Sequence, residues 1–170
     1  LYASLIHSVE DPSVGLLNIG EEGAKGNRLV KETHDLFSGS GIHFQGNIEP
    51  VELFRGKCDV VVCDGFTGNM CLKLAEGVIG TLLTSVRNET DKSIRAKVGG
   101  LLLSPALKYT RDQLDYRRHG AVMMLGIRRP VFIGHGRSDA TAIASALVTA
   151  DNAVRQGLTE ALQKQAESIT

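Results

Sequence analysis

Three polar, glycine-rich stretches carry the residues of this chain best suited to holding an anion. They are Gly20-Glu21-Glu22-Gly23-Ala24-Lys25-Gly26-Asn27, Asp64-Gly65-Phe66-Thr67-Gly68-Asn69 and Gly134-His135-Gly136-Arg137-Ser138-Asp139. Where such a loop leads into a helix, it presents backbone N–H groups and the positive end of the helix dipole, which suits phosphate. Lys25 adds a point charge, and Asn18, Asn27, Thr67, Asn69 and Ser138 add neutral hydrogen-bonding groups. Neither the dinucleotide pattern G-x-G-x-x-G nor the nucleotide pattern G-x-x-x-x-G-K-[ST] occurs, so a phosphate site of another kind is expected. His135 reads equally as an acid–base group or as a helix cap. Asp64, at the end of a strand, is as well placed for function as for structure, whereas Glu21 and Glu22 read first as solvated charges. No hydrolase elbow G-x-S-x-G is present, and His135, Ser138 and Asp139 are too close in sequence to form a triad.

The elements that position these loops recur as a short apolar run, a polar loop and a helical pattern. Val14–Ile19 reads as a buried strand, followed by a helix with Leu29, Val30, Thr33, Leu36 and Phe37 on one face. A second strand is predicted from Ile42 to Gln45, ended by the turn residues Gly46-Asn47. Asp59–Cys63 reads as a third strand covered on both faces. The helix after it carries Leu74, Ala75, Val78, Ile79, Leu82, Leu83 and Val86 in a stripe. Late in the chain Pro130–Ile133 is a strand, with Ser138 as N-cap of an Ala-rich helix. This alternation predicts one α/β domain over residues 1–170, three-layered, with a mostly parallel sheet flanked by helices. The loops at the carboxyl ends of parallel strands converge on one edge, so all three glycine-rich loops are expected there.

Residues 87–118 have a different character, with eight basic residues against four acidic ones. The apolar run Val98–Leu103 sits in the middle, and Ser104-Pro105 resembles a cap followed by proline at the first helical position. The expectation is a protruding basic helical hairpin whose tip, Leu101, Leu102 and Leu103, touches a membrane or a second copy.

Composition bounds the rest. The 170 residues carry 19 basic and 19 acidic groups, so no bulk field draws in nucleic acid. No basic-then-apolar leader opens the chain, which predicts no secretion, while its start at Leu1 rather than Met points to a processed or partial chain. Cys58, Cys63 and Cys71 are odd in number and crowded, and are expected to be buried, unreactive thiols in a reducing cytoplasm. No metal set is expected, because the cysteine spacing is wrong for a zinc knuckle and no histidine pair completes one.

Read together, the motifs resemble the bacterial phosphate acyltransferases of the PlsX type. The resemblance is carried by Gly15–Glu22 with Lys25-Gly26-Asn27, Gln45-Gly46-Asn47-Ile48-Glu49, Asp59–Val62 leading into Asp64–Asn69, Tyr116, Gly120, Leu125-Gly126 and Gly134–Asp139. Family members are longer, and this chain resembles their C-terminal portion. One departure is Gly120-Ala121-Val122, where the family usually has paired glycines followed by alanine.

The resemblance implies a fold like that of the isocitrate and isopropylmalate dehydrogenases, with no cofactor. It implies a dimeric cytoplasmic enzyme that makes acyl phosphate from acyl carrier protein thioesters and inorganic phosphate. That product would feed a membrane glycerol-3-phosphate acyltransferase in phospholipid synthesis. On this basis Lys25, Asn69, His135 and Asp64 are the expected catalytic groups. Asn18, Gly20, Gly26, Asn27, Gly65, Thr67, Gly68, Gly136 and Ser138 are expected to bind phosphate or substrate. The alternatives are a phosphotransacetylase-like enzyme using acyl-coenzyme A, and a catalytically incomplete module for oligomerisation or membrane binding.

Overall fold

The computed structural model describes residues 1–113 and 120–169. In chain order the elements are α1 (Tyr2–His7), β1 (Val14–Leu17), α2 (Arg28–Ser38), β2 (Phe44–Ile48), a 3-10 turn (Pro50–Glu52), β3 (Val60–Val62), α3 (Gly65–Thr90), α4 (Ile94–Gln113), β4 (Ala121–Met123), β5 (Phe132–Gly134), α5 (Ala140–Arg155) and α6 (Leu158–Ile169). They group into two compact units, one over His7–Asn88 and the other over Leu1–Ile6 with Glu89–Thr170.

In the unit His7–Asn88, three parallel strands pair in the order β2-β1-β3. The central strand, β1, buries Gly15, Leu16 and Leu17, as its uninterrupted apolar run requires. Strand β3 lies at the edge and is only half-buried, not covered on both faces as its Val-Val-Val run predicted. Strand β2 runs through Gly46-Asn47 instead of ending there. Gly46 takes a left-handed φ of 90°, and the register against β1 shifts between Val14 and Leu16, a bulge that the sequence reads as a turn.

Helix α2 begins at Asn27, whose side chain accepts from the Val30 N–H, 3.0 Å away. Its packed face is Val30, Thr33, His34 and Phe37, while Leu29 and Leu36 are exposed. The rings of His34 and Phe37 meet Phe44 edge-on and fix α2 against β2. Along α3 the inward line is Ala75, Ile79, Leu83 and Val86, and Leu74, Val78 and Leu82 from the predicted stripe face outward.

In the other unit, Ala121–Met123 and Phe132–Gly134 pair as an antiparallel ribbon against α5. The late strand therefore does not extend the parallel sheet, and its partner β4 was too short to be legible. Met123, Ala153 and Leu158 form the core, with Tyr2, Leu5, Ile6, Phe132 and Leu162 packed on it. Gly120 is required where it is: its φ is 67°, and a Cβ there would run into the α5 backbone at Ser145-Ala146. The cap of α5 is Asp139, whose carboxylate accepts from the Ala142 N–H at 2.9 Å, and not Ser138. The Ser138 hydroxyl is turned back to the His135 carbonyl, 2.7 Å away.

The basic segment is also built differently from its expected form. The chain breaks at Asp91–Ser93, and Val98–Leu103 lies within α4 rather than at a tip. Ser104-Pro105 does not start a helix. Pro105 sits inside α4, carried through by strong helix formers such as Leu101–Leu103, Ala106 and Leu107 on either side, and the Ser104 hydroxyl donates to the Leu101 carbonyl. The end of that segment, with Tyr116, lies outside the described residues. Among the described residues no helix is long and apolar enough to cross a membrane.

Candidate functional site

Within the unit His7–Asn88 the carboxyl ends of the three parallel strands open onto a cavity of about 530 Å³. Its walls are largely apolar: Leu16, Ile19, Leu29, Val30, Pro50 and Val62. Asn18, Asn27, Asp64 and Thr67 supply a polar end, and Gly26 closes the side nearest α2. Both α2 and α3 start at this cavity, so two helix N-termini meet there.

The loop from Asn18 to Asn27 is held from within. Asn18 is 5% exposed; its Oδ1 accepts from the Ile19 N–H at 2.8 Å, and its Nδ2 donates to the Lys25 carbonyl at 3.1 Å. The Lys25 N–H donates to the Glu22 carbonyl at 3.0 Å. Gly26, with φ 91°, passes directly against the Asn18 amide. The stem of Lys25 lies over Gly20, and its ammonium makes no ion pair among the described residues. Asn27 is committed to capping α2, which leaves the N–H groups of Arg28 and Leu29 as first-turn donors with no acceptor inside the helix.

The second loop is organised around Asp64. Its carboxylate accepts from the N–H groups of Phe66 (3.0 Å) and Thr67 (2.9 Å) and from the Thr67 hydroxyl. These bonds hold its pKa below the ordinary carboxylate value, with the Thr67 side chain the largest cause. At neutral pH Asp64 is an anion that occupies the N-terminus of α3 as its cap. Gly65, Gly68 and Asn69 lie in the first turns of α3, with Gly68 against the Cys63 sulfur and Asn69 exposed.

His135, Gly136 and Ser138 belong to the other unit, in the turn before α5. There His135 Nδ1 accepts from the Arg137 N–H at 3.1 Å, and the His135 carbonyl receives both the N–H and the hydroxyl of Ser138.

Cysteine burial differs from expectation. Cys63 is exposed and Cys58 and Cys71 are half-buried, though all three are free thiols. Partial desolvation still pushes the Cys58 and Cys63 thiols above the usual thiol pKa. Among the described residues no cluster of His, Cys, Asp and Glu is arranged to hold a metal ion.

Two residues outside the expected site set also touch the Lys25 loop. Asn47, read as a turn residue, is 4% exposed within β2, and its Nδ2 donates to the Glu22 carbonyl at 3.0 Å. Lys57, an isolated cation in a loop, bridges Glu21 and Glu52. The signal for Asn47 was its amide next to a strand glycine. For Lys57 there was none.

The chain matches the family described as fatty acid synthesis protein over residues 1–161. It is 43% identical over 162 residues to a phosphate acyltransferase of Moorella thermoacetica, covering 95% of this chain and 48% of that protein. It is 38% identical over 170 residues to the phosphate acyltransferase of Brevibacillus brevis, covering all of this chain and 51% of the relative. The Aquifex aeolicus phosphate acyltransferase is 43% identical over 146 residues, 86% of this chain and 43% of its own length. The chain thus spans about half the length of the curated relatives it matches.

Proposed function

The chain belongs to the fatty acid synthesis protein family, and from that membership we propose that it serves the transfer of a fatty acyl group from acyl carrier protein to inorganic phosphate. The observation that carries the reading is the pairing of an apolar cavity with the Lys25 loop at one sheet edge, in a chain whose relatives are named phosphate acyltransferases. A hydrocarbon thioester needs the first feature, and a multiply charged anion needs the second.

In the proposed reaction a phosphate oxygen attacks the thioester carbonyl, the C–S bond breaks, and the carrier thiol leaves with the proton that phosphate gives up. Phosphate is already anionic and a thiolate leaves readily, so most of the catalysis is positioning and charge stabilisation. Lys25 and the first-turn N–H groups of α2 hold phosphate. The exposed Asn69 amide, in the first turns of α3, stabilises the oxyanion. Asp64 holds the first turn of α3 in place rather than moving a proton, since the Phe66 and Thr67 donors occupy its oxygens and, by lowering its pKa, make it a weak base.

The wider setting follows from the same reading. The fold is of the isocitrate and isopropylmalate dehydrogenase type, and the enzyme is a cytoplasmic homodimer that touches anionic membrane through α4. Its product passes to a membrane glycerol-3-phosphate acyltransferase.

Thiol release from palmitoyl-acyl carrier protein and from palmitoyl-coenzyme A, each with and without phosphate, tests the reading. Phosphate-dependent release from the carrier donor supports it. Preference for coenzyme A would replace it with a phosphotransacetylase-like activity. Absence of release from either donor, when a full-length relative is active in parallel, would mean that these 170 residues lack a sufficient site.

A further inference from the structure

We infer that Asn47 is a positioning residue for Lys25, acting through the carbonyl of Glu22 and supported by Lys57; this rests on the reading of the Lys25 loop as the phosphate site. The peptide units flanking Lys25 are held at both ends by buried amides. On one side Asn18 donates directly to the Lys25 carbonyl. On the other, Asn47 Nδ2 donates to the Glu22 carbonyl, the same oxygen that accepts from the Lys25 N–H. Asn47 stands in β2 as the register partner of Leu16, and Asn18 directly follows the end of the adjacent strand β1, two residues after Leu16. A rigid sheet thereby sets the height of the loop.

The other half of the Asn47 amide shows what it is there for. Its Oδ1 is buried and has no hydrogen-bond partner. A buried acceptor without a partner disfavours the folded state, so the amide is not explained by its own contribution to stability. What it does supply is one donated bond to the Lys25 loop. Lys57 ties the same loop from outside, its ammonium bridging Glu21 in the loop and Glu52 in the turn after β2. Both anchors connect the loop to β2 and the turn that follows it, and neither side chain lines the cavity.

The test uses this chain, with inorganic phosphate as the probe in titration calorimetry. An Asn47→Leu variant keeps the branched shape and the heavy-atom count, and removes the unpaired acceptor together with the anchor. It is expected to melt within a few degrees of the parent, to bind phosphate about tenfold more weakly, and to exchange the Lys25 amide hydrogen about tenfold faster. Lys57→Met, at a side chain 35% exposed, should shift both readouts the same way by a smaller factor. It decides the matter if Asn47→Leu does not fold. Parental phosphate affinity and amide exchange in the folded variants would overturn the inference while leaving the phosphate site standing. Failure of the parent itself to bind phosphate would overturn the site, and the inference with it.

Discussion

The Cβ that Gly26 lacks would lie 2.5 Å from Oδ1 of Asn18. The loop closes over the buried amide only because that atom is missing, and the φ of 91° is one that other residues rarely adopt. A Gly26→Ala substitution is therefore expected to cost about 1–3 kcal/mol from backbone strain, with displacement of Asn18 added to it. The urea midpoint measures this, and an unchanged midpoint would show that the loop has room the structure does not give it.

Acid stability provides a second check, at the root of the sheet. The Asp59 carboxylate accepts from the Ser13 hydroxyl (2.6 Å) and the Ser13 N–H (2.8 Å), pinning β3 to the start of β1. These bonds hold its pKa below the ordinary 3.8. A carboxylate whose pKa is lower when folded binds fewer protons in the folded state than in the unfolded state. Its contribution is complete above that ordinary value and is lost as the pH falls below it towards the folded pKa. A Ser13→Ala variant should lose stability at neutral pH and show a shallower fall as the pH drops below the ordinary carboxylate value of 3.8. Melting temperatures across that range read it; parallel curves for parent and variant would contradict it.

Much of this was legible, and the failures are local. The Val14–Leu17 run and the glycine loops after β1 and β3 specify parallel strands with a cavity at their carboxyl ends, because burial and turn chemistry act within a few residues. Gly46 misled because a glycine in a bulge and a glycine in a turn look alike in sequence. Pro105 misled because local propensity placed a helix start where its neighbours carry a continuous helix. Asn47 and Lys57 stayed hidden because their partners, Glu22 and Glu21, lie 25 and 36 residues away. Spacing in the sequence cannot report such contacts.

The membrane proposal now concerns the side of α4 instead of a hairpin tip. Leu101 and Leu102 are 74% and 76% exposed there, beside Lys97 and Lys108. Leu102→Asp adds a charge to any buried apolar contact, and is expected to reduce flotation with anionic phosphatidylglycerol vesicles at least severalfold. Flotation equal to that of the parent would exclude this face from the membrane.

The central claim is that the Lys25 loop delivers phosphate to an acyl thioester. Its most direct test is acyl phosphate trapped as hydroxamate from palmitoyl-acyl carrier protein over a range of phosphate concentrations, for the parent and for Lys25→Met. The account predicts phosphate-dependent hydroxamate from the parent, and a phosphate requirement raised at least tenfold in a variant that melts like the parent. Equal phosphate dependence in the two proteins would contradict it.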